Sequence, residues 1–211
     1  MKTKKILIIG LLTLAIFTGC SPEEDIKNPM ITPYALFEEF ASVTEATEGQ
    51  PIQIADWTNF AEAGTKKWKQ GYYNGTKYAE FTAFSSASSG KENVNIGWLV
   101  SNAIDMDVYE NEKFVFDVAQ AYVSSASNSL ELFVSSDFDG SNVLAATWTK
   151  INFKNPPLDF DTNFDFFSSG IIDFSSYTGK IYIAFKYKGS GKDQSLDGTY
   201  EIDNIRIFNK K

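Results

Sequence analysis

The chain has no histidine, one cysteine and one arginine among its 211 residues. Without histidine, Ser-His-Asp and Cys-His catalysis are excluded, and so are His-ligated zinc and iron. A lone Cys20 rules out an intrachain disulfide, a cysteine-rich zinc site and an iron–sulfur cluster. With Arg206 as the single arginine, and 27 acidic against 19 basic side chains, there is no basic stripe to displace counterions. Nucleic acid is therefore not an expected partner. What survives is carboxylate chemistry, calcium binding, and recognition by aromatic and amide side chains.

What is present begins with an address. Lys2, Lys4 and Lys5 form a charged head, and Ile6 to Phe17 is an apolar run too short to span a bilayer but suited to an export signal. The run ends at Thr18-Gly19-Cys20, which resembles the bacterial lipoprotein box, with Phe17 where leucine is usual. The expectation is a signal peptide over 1–19 and lipidation of Cys20. An acyl anchor also accounts for the single cysteine, since each buried CH₂ adds about 0.8 kcal/mol of membrane affinity. Removal of the leader takes three lysines and no acids, leaving 16 bases against 27 acids and a net charge of −11. Ser21-Pro22-Glu23-Glu24-Asp25 then places an acidic cluster behind the anchor, which resembles the surface-export signal of Bacteroidetes lipoproteins and equally fits a solvated linker. With Pro22, Pro29 and Pro33, residues 20–33 are expected to be an extended tether.

Residues 34–211 suffice for one domain with a real core. Segments rich in aromatic and β-branched residues recur: Phe114–Ala119, Leu130–Val134, Lys180–Tyr187 and Tyr200–Ile207, with further candidates at Leu36–Phe40, Lys77–Phe84, Ile96–Ser101 and Thr147–Phe153. In Tyr200–Ile207, period-two alternation puts isoleucines on one face and Glu201 and Asp203 on the other. Turn signals such as Asn74-Gly75, Asp139-Gly140 and Asp197-Gly198 separate the segments. One short helix is expected near Ala55–Ala63. Lys154–Gly170, with Pro156-Pro157 and repeated Asp-Phe pairs, is expected to cross the body as a loop whose phenylalanines pack on it. The chain shows no internal repeat. Many short strands with Gly and Asn turns predict an all-β, two-sheet jelly-roll sandwich.

Five segments carry a family resemblance: Phe37-Glu38-Glu39-Phe40; Trp57-Thr58-Asn59-Phe60 with Gly64 to Trp68; Ile96 to Ser101; Val134 to Gly140 with Trp148; and Tyr200-Glu201-Ile202-Asp203-Asn204-Ile205. Together they resemble the choice-of-anchor J type of domain in Bacteroidetes surface lipoproteins, akin to carbohydrate-binding jelly rolls. The resemblance implies an extracellular β-sandwich without a universal activity. It also implies a structural calcium ion between the first and last strands, where Glu38 or Glu39 and Asp203 are the matching acids. A hard cation wants six to eight oxygens, and clustered carboxylates repel unless neutralised. The same acids also fit an outward polar face. Asp137 to Asn142 does not have EF-hand spacing and is expected to be a tight turn capped by aspartates.

The chain holds 18 Phe, 10 Tyr and 4 Trp, most of them needed for the core, with Trp98 expected to be buried. The stretch from Trp57 to Tyr78 mixes aromatics with Lys, Asn, Gln and Gly. Sugar rings stack on flat aromatic faces while amides and acids bind hydroxyls. Trp57, Trp68, Tyr72 and Tyr73 are therefore the candidate ligand-binding residues, though each also suits packing beneath a loop. Nothing marks a pair of carboxylates for glycoside hydrolysis. The sequence thus predicts a non-enzymatic, monomeric lipoprotein anchored in the outer membrane and exposed at the cell surface, binding a glycan or a cell-surface partner. The alternatives are an adhesion module contacting other outer-membrane proteins and a carboxylate-dependent hydrolase.

Overall fold

Period-two patterning becomes two antiparallel sheets in the computed structural model, which describes residues 34–158 and 164–209. The expected leader, Cys20 and the tether fall outside the described residues. Among those residues there is no α-helix. The strands in chain order are β1 Leu36–Glu38, β2 Thr58–Ala63, β3 Lys69–Tyr73, β4 Thr76–Thr82, β5 Asn95–Val100, β6 Ile104–Asp105 and β7 Glu112–Ala121. They continue as β8 Ser129–Ser135, β9 Thr149–Ile151, β10 Phe167–Ser168, β11 Ile172–Asp173, β12 Lys180–Gly189 and β13 Thr199–Asn209. The first sheet runs β3-β4-β13-β7-β10, with β1 beside the far half of β13 and β11 beside β7. The second runs β2-β5-β12-β8-β9, with β6 against β12. The architecture is a two-sheet β-sandwich of jelly-roll type.

One face of each long strand fills the core. Phe114, Phe116 and Val118 of β7 meet Ile181, Ile183 and Phe185 of β12. Phe81 is stacked on Tyr187 with ring centroids 4.2 Å apart and meets Trp68 edge-on at 5.7 Å. Gly97 is required where β5 passes Phe81: a Cβ there would lie 2.0 Å from the ring.

Two sequence expectations are corrected. Ala55–Ala63 is not helical; its second half is β2, paired with β5. Strict alternation also fails in β13, because Ile202 and Ile205 are three residues apart yet both face the core. A bulge between Asp203 and Arg206 absorbs the extra residue, with Asn204 in the left-handed region at φ 49°. Asn74-Gly75 forms the two-residue turn between β3 and β4, both residues at positive φ, as its sequence predicts.

A second, smaller apolar cluster lies on the outer face of the second sheet. Trp98 is buried there rather than in the main core, against Phe133 and Trp148 at 5.4 Å each. Glu62 accepts from Trp98 Nε1 at 2.7 Å and from Lys186 Nζ at 2.9 Å, and that ammonium sits 4.5 Å above the Trp98 ring. Burial alone would raise the Glu62 pKa; the bonds from Lys186 and Trp98 hold it below the ordinary value. The turn covering this cluster is capped as expected. Asp139 Oδ1 accepts from Ser141 N and Asn142 N, and Asp137 Oδ1 from Thr147 N, all at 2.8 Å.

Candidate functional site

Trp57, Trp68, Tyr72 and Tyr73 do not share a face. The chain crosses from one sheet to the other between β2 and β3, so their neighbourhood in sequence is split in space. Trp68 is fully buried, its Nε1 donating to Gly97 O at 3.3 Å, and its backbone is held in place by Asn59. It has no ring face to offer a sugar, which corrects that expectation. Trp57 and Tyr72 pack against the main core. Only Tyr73 of the four is largely exposed, at 68 %, and alternation places it on the outer face of the first sheet with Lys69.

That outer face carries a cleft of about 840 Å³, within the usual range of small-molecule sites. Lys69, Glu80, Thr82 and Thr199 form its floor, on β3, β4 and β13. Its walls are Tyr122 just past β7, Phe164, Phe84 just past β4, and the short 3-10 turn Gln194–Leu196 with Asp197. Tyr122 is 61 % exposed, Phe84 56 % and Phe164 39 %. Tyr122 and Phe164 meet edge-to-face, with centroids 6.2 Å apart. Both occupy the left-handed backbone region, at φ 61° and 65°. That conformation is strained for a bulky residue and persists only where surrounding structure enforces it; such strain concentrates at functional sites. Here the enforcement includes Phe164 N donating to Gln120 O at 3.2 Å. The buried Gln120 side chain donates in turn to Pro157 O, while its own Oε1 has no partner among the described residues.

The floor is charged and partly dry. Lys69 Nζ binds Glu80 Oε1 at 2.6 Å. Glu201 stands directly across from Glu80 in the β4–β13 register and is almost wholly buried. Burial, then repulsion from Glu80, push its pKa up to about 8, with the Tyr78 hydroxyl and Lys69 partly offsetting. Tyr78 lies over Gly71, where a Cβ would sit 2.0 Å from its ring, and Phe166 meets it edge-on at 5.9 Å. The expectation that phenylalanines of the crossing segment pack on the body thus describes Phe166, while Phe164 stays open to the cleft. The Asp197 pKa is raised, first by burial.

Further along this face the structure draws the predicted calcium residues together. Glu38 of β1 pairs with Ile205 across from the bulge. Asp203 is lifted to about 6 by burial, and then, against the Asn204 N–H that lowers it, by Asp117, Glu39 and Glu38. Three of these acids already have a use: Glu38 Oε1 accepts from Phe40 N at 2.5 Å, Asp203 Oδ1 from Asn204 N at 2.7 Å, and Asp117 Oδ2 from Asn204 Nδ2 at 2.9 Å. Among the described residues, no group of three or more acids converges to hold a metal.

Tyr122, Phe84 and Phe164 were not legible as site residues. Tyr122 ends an apolar strand and Phe164 sits in an Asp-Phe run, and neither position signals a positive φ. The lysines flanking Trp68 stand in the Trp57–Tyr78 stretch that the sequence singles out for ligand binding, but for its aromatic residues.

The chain matches no curated protein. Among solved structures it is similar to the K1 cleaved adhesin domain of Lys-gingipain from Porphyromonas gingivalis W83, with 20 % identity over 83 % of this chain and 98 % of that domain and a TM-score of 0.55. The K3 adhesin domain of the same protein is similar at 14 % identity over 84 % of this chain and all of that one, with a TM-score of 0.53. These likenesses support the sandwich topology. The model of one family, described as a domain of unknown function (DUF5017), matches residues 104–211, the stretch from β6 through β13 that supplies Tyr122, Phe164 and Asp197 to the cleft, and the chain belongs to that family.

Proposed function

We propose that this chain is a surface-displayed binding module that holds a glycan in the cleft on the outer face of its first sheet. The observation that carries the reading is the pair Tyr122 and Phe164: two exposed aromatic rings kept at the mouth of one cleft by a backbone conformation that favours glycine. Rings so held offer stacking faces to the C–H side of a sugar, and Ser124, Gln194, Ser195 and Thr199 supply hydroxyl and amide partners beside them. The adhesin name of the similar gingipain domains supports a role in attachment. Glycan-array screening of the folded protein is the test. Binding is expected, and Tyr122→Ala should weaken it about tenfold or more, the loss of about 1.4 kcal/mol. A blank array would move the reading to protein adhesion, for which the half-buried aromatics Phe60, Phe133, Trp148 and Tyr182 on the outer face of the second sheet are the favouring observation.

Two further proposals complete this reading. Lipidation of Cys20 anchors the module in the outer membrane; Cys20→Ser should release it from the membrane fraction, and unchanged fractionation would count against the anchor. A calcium ion braces β1 against β13, supported by the mutual repulsion of Glu38, Glu39, Asp117 and Asp203 that a divalent cation would relieve. Chelation should then lower the melting temperature, and identical melts would remove the ion.

A further inference from the structure

The cleft does not end at its aromatic walls. A second depression of about 340 Å³ adjoins it, and Lys69, Thr82 and Phe84 line both. Lys66 and Lys67 line the added part. Three lysines in four positions, in a chain of net charge −8, form a local reversal of sign. Around Trp68, whose ring is in the core, Lys67 is exposed just ahead of β3 and Lys69, the first residue of β3, is half-buried. Lys66 Nζ donates to Ala83 O at 2.8 Å and Phe84 O at 2.5 Å, which leaves one of three ammonium protons unused. Among the described residues Lys67 makes no ion pair. Burial is the first cause lowering the Lys66 pKa; Lys69 also lowers it, while Glu92 and Asp197 oppose. Lys69 Nζ is paired with Glu80 on the cleft floor, so of the three it is Lys66 and Lys67 that make no ion pair among the described residues.

We propose that Lys66, Lys67 and Lys69 form an anion subsite continuous with the aromatic cleft, so that the glycan taken there is acidic, carrying a uronate carboxylate or a sulfate on the unit next to the stacked ring. This rests on the glycan reading above. Phe84 stands at the joint and offers the stacking face nearest the lysines. Glu80 and Asp197 line the larger cleft and disfavour a second negative group there, which directs the charged unit to the lysine end.

The test is calorimetric titration of the whole mature protein with three tetrasaccharides: an oligogalacturonate, its full methyl ester, and a sulfated chondroitin fragment. At least one acid should bind about fivefold or more tighter than the neutral ester, about 1 kcal/mol. That advantage should shrink in about 0.5 M salt, because exposed charges are then screened. Whichever acid binds identifies the anionic group. Lys67→Gln changes an exposed side chain and should narrow the advantage of the acid over the ester. An ester that binds as tightly as both acids overturns the anion subsite and leaves the glycan reading standing. No binding by any of the three overturns the anion subsite, and a blank glycan array beside it defeats the glycan reading as well. An acid preference unchanged by Lys67→Gln and by Lys69→Gln overturns the assignment to these lysines.

Discussion

Residue by residue, what matters in this molecule is where a side chain is forbidden or forced. Gly97 is forbidden one: Phe81 is held between Tyr187 and Trp68 and has nowhere to retreat from an added methyl. Gly97→Ala should therefore cost about 1–3 kcal/mol by overpacking. The urea midpoint measures it, and Phe81→Leu on the same background should recover part of the loss, since contacting residues are not additive. A full-strength penalty in the double variant would mean the strain lies in the β5 backbone instead. Tyr122 is forced in the opposite sense. It is a bulky residue where glycine fits best, and the ring so held lines the cleft.

At the scale of strands, the sequence carried the sandwich because periodicity and turn chemistry are local. Lys180–Tyr187 and the Asn74-Gly75 turn follow from neighbouring residues alone, and β12 and the β3–β4 hairpin form there. What local pattern does not encode is which sheet a strand joins. Trp57 and Tyr73 look like one aromatic patch in sequence, but β2 belongs to one sheet and β3 to the other. The β13 bulge shows the same limit. The three-residue step from Ile202 to Ile205 is visible in the sequence, yet the partner acids Asp117 and Glu38 that gather around it come from strands 87 and 167 residues away from Asn204 and Ile205 in sequence. Likewise the cleft is assembled from strand ends and connections, where positive φ at Tyr122 and Phe164 depends on long-range bonds such as Phe164 N to Gln120 O.

For the whole molecule, the balance of buried and exposed acids sets how stability depends on pH. Glu201 and Asp203 have pKa values raised from 4.5 to about 8 and from 3.8 to about 6. An acid raised by folding binds more protons folded than unfolded, so its contribution is full below the ordinary carboxylate range and is lost as pH climbs to the folded value. Asp137, Asp139, Asp173, Asp193, Glu62 and Glu92 are lowered, and their contribution is lost only as pH falls below about 4. The two windows leave a maximum near pH 5, on the acid side of neutrality. The melting temperature should fall from pH 5 to pH 8, and growing net negative charge works in the same direction. Glu201→Gln separates the two causes, because it keeps the shape and removes the titration. At pH 8 it should melt higher than the parent by about 2–4 °C or more, the equivalent of ~1 kcal/mol in a domain of this size, and at pH 5 the two should nearly coincide. Parallel curves would mean that Glu201 is already ionised when folded. The Lys69–Glu80 pair on the cleft floor lies beside this carboxyl, so its ionisation also competes with Glu80 for Lys69 and should loosen the basic end of the cleft over the same pH range.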